Sequence, residues 1–160
     1  MAERQFVAQR FLEAIPTGDF DLDHLKAIHH HLFQDIYEWA GEVRTVEIEK
    51  GGNQFQPRRF IETGMMDVHR RIIVATYFQG TTRKQFAGQV GPILGDVNFV
   101  HPFREGNGRV QLQYVKQLAE RAGHGMDLTR LDREAWMEAS RRSHEGDYDA
   151  IRKCVHRALL

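Results

Sequence analysis

The fold and the chemistry are best interpreted from one stretch, His101-Pro102-Phe103-Arg104-Glu105-Gly106-Asn107-Gly108-Arg109. This stretch lies between two predicted helices, where rigid elements can hold a functional loop in place. Its glycines stand where the second helix begins, so that successive backbone N–H groups point the same way. Such a helix N-terminus binds anions, and glycine lets the backbone approach a phosphate closely.

The side chains of this stretch add further chemistry. The planar guanidinium of Arg109 suits phosphate oxygens. The Glu105 carboxylate would be repelled by a phosphate unless a divalent cation such as Mg²⁺ lay between them. His101 titrates near neutral pH and can take a proton from an attacking hydroxyl. Each residue alone has an ordinary interpretation as a turn, a structural histidine or a solvated arginine. Their ordered combination indicates transfer of a phosphorus-centred group.

Outward from this stretch, the apolar spacing predicts a chain that is mostly helical. A first amphipathic helix begins near Leu22, carries its stripe as far as Trp39 and ends at Gly41. Further helices are predicted over Arg59–Phe78, Thr82–Phe99, Asn107–Ala122, Asp132–Arg142 and from Tyr148 to the C-terminus. Gly88, Gly91 and Pro92 weaken the prediction for the helix that leads into the decisive stretch.

One segment departs from the helical pattern. Residues 44–50 alternate apolar and polar side chains, and Gly51-Gly52-Asn53 and a second short run follow. This pattern predicts a β-hairpin over about residues 44–56. The hairpin is either a surface connection or a flap that offers a strand edge to a peptide. The residues alone favour the surface connection.

Composition limits the class of protein. The 160 residues suit one domain, and 22 basic against 22 acidic side chains give no net charge. This balance lacks the basic footprint of a nucleic-acid binder. The single cysteine, Cys154, allows no intrachain disulfide. We expect a cytoplasmic protein, since the sequence shows neither a signal peptide nor an apolar run of about 20 residues that could span a membrane.

Residues 101–109 closely resemble the signature of the Fic family, His-Pro-Phe-x-(Asp/Glu)-Gly-Asn-Gly-Arg-x-x-Arg. Residues 24–44 also resemble that family's helix leading to its flap, residues 50–55 the flap, and Gly95-Asp96-Val97-Asn98 the approach to the motif. The resemblance implies an all-α helical bundle, the Fic fold, with a short β-hairpin flap. It implies one domain over residues 1–160, with its core over about 20–123, the flap over about 44–56 and C-terminal helices over about 130–159.

The resemblance also implies an activity, transfer of AMP from ATP to a Ser, Thr or Tyr hydroxyl of a target protein. His101 would be the base, Glu105 the Mg²⁺ ligand, and Arg109 would hold the phosphates. Gly106, Asn107 and Gly108 would form the anion hole. Phe103 would pack inward, and the flap would align the target protein by strand addition.

This sequence departs from the motif at one position. Leu112 stands where the family has its second arginine, which contacts the γ-phosphate of ATP. The loss predicts a weaker hold on the triphosphate, by about 1–3 kcal/mol. Gln113 brings hydrogen-bonding capacity without charge. Arg141, Arg142 and Arg152 are expected on solvated faces, from which any of them could replace the missing arginine.

Regulation and reaction type stay open at this level. The sequence lacks the family's inhibitory (Ser/Thr)-x-x-x-Glu-(Gly/Asn) segment, since Thr45…Glu49 has the spacing but is followed by Lys50. A bacterial toxin restrained by a separate antitoxin protein is one interpretation, and an unrestrained enzyme is another. A protein kinase of the Doc type and a degenerate scaffold without turnover are the alternatives to AMP transfer. Gly108 argues against the kinase, because Doc proteins have lysine there.

Overall fold

The computed structural model describes residues 2–160, which form seven α-helices and one two-stranded antiparallel sheet. The elements are α1 Ala2–Leu12, α2 Leu22–Phe33, β1 Glu49–Lys50, β2 Asn53–Gln54, α3 Ile61–Val74, α4 Arg83–Val100, α5 Asn107–Ala122, α6 Arg133–His144 and α7 Asp149–Ala158. Short 3₁₀ turns lie at Arg58–Phe60, Thr76–Phe78 and Leu128–Arg130. The predicted fold class, an all-α bundle with a short β-hairpin, is confirmed.

Helix α4 forms the centre of the bundle and delivers the chain to residues 101–109. It packs against α3, α5, α6 and α7, and half of its residues are buried. Two glycines one turn apart allow the close contact with α7. A Cβ at Gly91 would lie 2.6 Å from the Arg152 side chain, and one at Gly95 would lie 2.6 Å from the Tyr148 ring. Small residues therefore set the distance between these helices.

Pro92 lies inside α4, and the structure shows how the helix tolerates it. A proline has no N–H to donate to the carbonyl four residues earlier, so the Gly88 carbonyl loses its helical partner. The Arg152 guanidinium donates to that carbonyl instead, at 3.0 Å. The weakness predicted for this helix is thus compensated by a side chain from α7.

Most predicted helices are confirmed within two residues at their N-termini, and the bounds of α5 match on both sides. The apolar residues that recur at helical spacing in α4 are all buried: Phe86, Val90, Ile93, Leu94 and Val97. The prediction for α2 is wrong at its C-terminus, because the helix ends at Phe33. The N–H groups of Ile36 and Tyr37 both turn back to the Phe33 carbonyl, so the apolar residues that continue the stripe pack from a turn.

The hairpin exists but is shorter than predicted. Only Glu49↔Gln54 and Lys50↔Asn53 pair, and the Phe55 N–H adds one bond to the Ile48 carbonyl. Upstream, the chain is bound to other parts of the molecule instead: the Arg44 N–H donates to the Pro102 carbonyl at 2.8 Å. We call residues 44–56 the flap.

Helix α1 was not predicted, because its sequence carries no apolar stripe and Val7 is its one buried residue. Tertiary contacts hold it: Arg10 forms an ion pair with Asp35 at 2.7 Å, and the His31 ring donates to the Arg10 carbonyl at 2.8 Å. None of the helices within residues 2–160 combines the length and the apolar character that a membrane crossing requires.

Candidate functional site

A pocket of about 750 Å³ opens where three parts of the chain meet. The flap contributes residues from Ile48 to Phe55. The loop before α5 contributes Arg104 to Gly108, with His101 and Gln111 deeper in. Helix α6 forms the third wall, from Trp136 to His144. The structure therefore brings most of the predicted site residues to one cavity.

His101 ends α4 in the left-handed conformation, with φ 46° and ψ 64°. This conformation is strained for a residue with a Cβ and is typical of functional positions. The ring Nδ1 lies 3.1 Å from the carbonyl oxygen of Asn98, which can only accept, so Nδ1 carries the proton. The neutral ring then has an unprotonated Nε2, the form that a general base needs.

The pKa of His101 is lowered to about 4, mainly because the ring is buried; the hydrogen bond to Asn98 opposes this shift, and the charges of Arg44 and Lys50 add to it. The Phe55 ring lies flat against the imidazole, with centroids 3.8 Å apart. The expectation of a near-neutral pKa from the residue type was wrong for this environment, because the ring is desolvated. At neutral pH the ring is therefore uncharged and able to accept a proton.

The predicted anion cradle lies at the start of α5. Gly106 is the N-cap, with φ 84°, and a Cβ there would lie 2.5 Å from the Phe33 ring. A Cβ at Gly108 would meet no atom within 4 Å in the described chain, so the space beside its backbone is open to a ligand. Glycine is thus needed at 106 for conformation and packing, and at 108 it leaves room.

Two buried side chains hold the loop in shape. The Asn107 carboxamide accepts from the Phe103 N–H at 2.9 Å and donates to the Phe103 carbonyl at 2.6 Å. The His29 ring donates to the Glu105 carbonyl at 2.9 Å and accepts from the Gly41 N–H at the same distance. Phe103 is 1% exposed and stacks on His29 with centroids 4.1 Å apart, so its predicted inward packing is confirmed.

Glu105 is the one carboxylate that this loop offers to the pocket. Within residues 2–160, no group of three or more His, Cys, Asp or Glu side chains could hold a metal ion by itself. Mg²⁺ is commonly bound by one or two carboxylates together with phosphate oxygens of the substrate. An exposed carboxylate beside a phosphate cradle therefore fits an ion that arrives with a nucleotide.

Arg109 and Gln113, which the sequence suggested as phosphate contacts, lie outside the pocket lining, and Gln111 lies within it. Arg109 is not among the lining residues, and its guanidinium lies 4.8 Å from the centroid of the Phe33 ring. Gln113 is buried outside the pocket lining. Gln111 lines the pocket, is 2% exposed, and neither of its amide atoms has a hydrogen-bond partner among the described residues.

Sequence reasoning missed the wall from α6 and the covering ring of Phe55. Arg141 reaches the pocket but forms ion pairs with Glu138 at 2.6 Å and Glu145 at 3.0 Å. Arg142 also pairs with Glu138, and Arg152 is bound to the Gly88 carbonyl elsewhere. Arg141 is therefore the one of these three arginines that lines the pocket. The sequence carries no signal for this, because the Arg141 side chain is about half exposed and its place at the pocket depends on how α6 packs.

Comparisons with known proteins identify the family to which the sequence is similar. The sequence model of a family described as Fic/DOC family matches residues 19–119. The protein adenylyltransferase VbhT of Bartonella schoenbuchensis is 37% identical over 89% of this chain, which spans 30% of that protein's length. A probable protein adenylyltransferase of Sinorhizobium fredii is 35% identical over 98% of this chain and 82% of its own length.

A solved structure has the same fold. The BepC protein of Bartonella tribocorum, crystallised with bound AMPPNP, superposes with a TM-score of 0.90 at 20% identity. The match covers 99% of this chain and 85% of that one. The arrangement of helices and hairpin described above is thus shared with a nucleotide-bound structure.

Proposed function

The chain belongs to the Fic/DOC family, and from this premise we propose that it transfers AMP from ATP to a hydroxyl group of another protein. The observation that carries the proposal is the pocket itself. It joins the neutral, Nδ1-protonated ring of His101 to the glycine-lined N-terminus of α5, with the Glu105 carboxylate at the same mouth. A base and an anion cradle in one cavity are what an attack on phosphorus requires.

The step that fits this geometry is a displacement at the α-phosphorus. The oxygen of a target hydroxyl attacks phosphorus, Nε2 of His101 takes the hydroxyl proton, and the bond from the α-phosphorus to the bridging oxygen breaks. The products are a phosphodiester between AMP and the target side chain, and pyrophosphate. The low pKa of His101 favours the neutral ring before substrate binds. A bound polyanion would raise that pKa and so favour the protonated ring as the reaction proceeds.

The cradle stabilises the charge that develops on the phosphate oxygens. Backbone N–H groups at the start of α5 carry the positive end of the helix dipole and are fixed by the Asn107 bonds, so they need no rearrangement. Glu105 would hold Mg²⁺, which supplies charge neutralisation and fixes the phosphate geometry when bound.

The two arginine positions of the family motif bring no cation to the pocket lining. Arg109 lies against Phe33, and Leu112 brings no charge. The unpartnered amide of Gln111 lies at the pocket and can donate to and accept from a nucleotide or its water. Arg141 would first have to leave Glu138 and Glu145. We therefore expect weak binding of the outer phosphates, with the α-phosphate held best.

The flap is proposed to align the target protein. Its residues from Ile48 to Phe55 line the same pocket as His101, and its ladder has only two residue pairs, so its edges offer unpaired backbone groups. An extended peptide can add a strand to such an edge. Restraint by a separate antitoxin and a role as a bacterial toxin stay predictions from the sequence.

The position of the label on ATP tests the proposed reaction. The purified protein is incubated with a bacterial lysate, Mg²⁺ and ATP labelled at either the α- or the γ-phosphate, with His101→Ala as the inactive partner. AMP transfer leaves label on a target protein only from α-labelled ATP, and the variant should lose it. His69→Ala is a matched control, because His69 pairs with Asp19 outside the pocket and should leave labelling intact.

Other outcomes would replace the proposal. Label from the γ-phosphate alone would indicate a kinase. Absence of label from either position, with nucleotide binding that is unaffected by His101→Ala, would indicate a scaffold without turnover. Label that persists in His101→Ala would remove His101 from the role of base.

A further inference from the structure

Arg44 is a buried arginine at the base of the flap that has no part in the reaction described above. The residue is 3% exposed, and its one nearby carboxylate, Glu47, is 3.7 Å away and largely exposed to solvent. A buried guanidinium is costly unless its donors are satisfied. Burial lowers the pKa of Arg44, yet the side chain stays inside. Its position therefore needs an explanation.

Backbone carbonyl groups surround this guanidinium. Nε donates to the His101 carbonyl at 2.7 Å, and Nη2 donates to the Val100 carbonyl at 3.2 Å. Both carbonyls belong to the C-terminal end of α4, where the helix dipole is negative and a cation is favoured. The other bonds go to the flap: Nη1 donates to the Val46 carbonyl at 2.8 Å, and Nη2 also donates to the Gln56 carbonyl.

These bonds join the C-terminal end of α4 to the flap, in addition to two backbone hydrogen bonds between the same parts. His101 is in the left-handed conformation, and its carbonyl direction depends on that conformation. Val46 and Gln56 stand at the two ends of the hairpin, one before β1 and one after β2. The Arg44 N–H adds a bond to the Pro102 carbonyl, and the Gln56 N–H adds one to the Phe99 carbonyl at 2.9 Å. One side chain thus sets the base of the flap relative to the catalytic histidine.

We propose that Arg44 is a positioning residue that holds the strained backbone of His101 and the base of the flap in one register. Nε2 of His101 and the target hydroxyl that the flap aligns then lie next to each other. This inference rests on the proposed AMP transfer for its kinetic consequence, and its structural consequence stands independently. Only a planar fork with donors in several directions reaches both the α4 end and the flap, so lysine is a poor replacement.

The kinetic test compares Arg44→Ala and Arg44→Lys with the control Arg71→Lys. Arg71 is a partly buried arginine that is ion-paired with Asp96 at 2.7 Å outside the pocket. We expect Arg44→Ala to lower kcat for AMP transfer about 100-fold, as for a misplacement of about 1 Å. The KM for ATP should change less than about threefold, because the cradle belongs to α5. Added methylguanidinium should restore part of the Arg44→Ala rate.

The structural test follows the imidazole N–H signals of His101 by ¹⁵N NMR, with thermal unfolding of each variant. In the parent protein the Nδ1–H form should dominate, and in Arg44→Ala or Arg44→Lys the two ring forms should mix. A kcat loss in Arg44→Ala no larger than in Arg71→Lys, with an unchanged His101 tautomer, would overturn the proposal. Should Arg44→Ala not fold, the same criteria apply to Arg44→Lys.

The two tests separate this inference from the proposed function. If the parent protein transfers no AMP but the His101 tautomer depends on Arg44, the proposed function fails and the positioning role stands. If the parent protein is active and neither kcat nor the His101 tautomer changes in the Arg44 variants, the positioning role fails and the proposed function stands.

Discussion

The loop before α5 and the flap face each other across one pocket but are built differently. The loop is held by buried side chains: the Asn107 carboxamide ties both backbone groups of Phe103, and the His29 ring ties Glu105 to Gly41. The flap has two ladder pairs, and at its base the Arg44 side chain donates to the Val46 carbonyl. The proposed chemistry therefore lies on a rigid part of the molecule, and the proposed target alignment lies on a part that can deform at low cost.

Replacing Asn107 with alanine should have the largest effect of the three changes considered below. The Phe103 N–H and carbonyl would stay buried without partners, at a cost of about 1–3 kcal/mol each. We expect the free energy of unfolding, measured by urea titration, to fall by about 4 kcal/mol. The rate of AMP transfer should fall by about 100-fold or more.

The matched control is Asn53→Ala, which makes the same substitution at an asparagine of the flap. Asn53 lies at the hairpin turn with its side chain partly exposed, so the change in stability should stay within about 0.5 kcal/mol. Equal losses in the two variants would mean that the loop and the flap are equally rigid, which would refute the comparison.

The loop was more predictable from sequence than the flap, for a physical reason. The left-handed backbone at Gly106 and the start of α5 depend on local chemistry, so residues 101–109 predicted the turn and the helix N-terminus. The wall from α6, the bonds of Arg44 and the covering ring of Phe55 depend on contacts between distant segments. A side chain such as Gln111 is visible as a helical position in the sequence, but its lack of a partner appears only when its neighbours are known.

Elsewhere too, tertiary contacts decided what local patterns could not. The apolar stripe predicted for α2 continues past Phe33 because Ile36 packs on the core from a turn and Trp39 stacks on the His29 and Tyr37 rings. Apolar spacing does not distinguish such a turn from a longer helix. Helix α1 lacks a stripe and is held by Arg10 and His31. The ionisation of His101 could not be predicted either, since it follows from desolvation and from charges that other segments supply.

Acid should weaken the loop through His29. Burial lowers the pKa of His29 to about 4. Protonation would also place a second N–H against the Gly41 N–H. As pH falls, the unfolded chain takes up this proton first, near its ordinary pKa of about 6.5. The contribution of His29 to stability is therefore fully present above about pH 6.5 and is lost as pH falls to about 4, by about 3 kcal/mol.

Urea titrations of the parent protein and His29→Gln at several pH values test this. The variant should lose about 3 kcal/mol less than the parent between pH 6.5 and 4. His101, whose pKa is also lowered to about 4, should give both proteins a remaining loss in the same window. Identical pH dependence in parent and variant would show that the loop does not depend on a neutral His29.

The smallest effect is expected at the tip of the flap. Gly51 and Gly52 both have positive φ, 59° and 83°, as a tight two-residue hairpin turn requires, and open space surrounds both. Alanine at 52 would strain the left-handed backbone by about 1 kcal/mol. Because the hairpin can open alone, this cost should appear in faster amide exchange of residues 49–54, with global stability nearly unchanged. The KM for the labelled target should rise by up to about fivefold, and that for ATP should not change.

Gly88→Ala is the control, since Gly88 is helical with open space around its Cβ position, and alanine there should stabilise the protein by about 0.5–1 kcal/mol. If Gly52→Ala lowered global stability by the full strain energy, the flap would unfold together with the bundle, and the contrast between a rigid loop and a yielding flap would not hold.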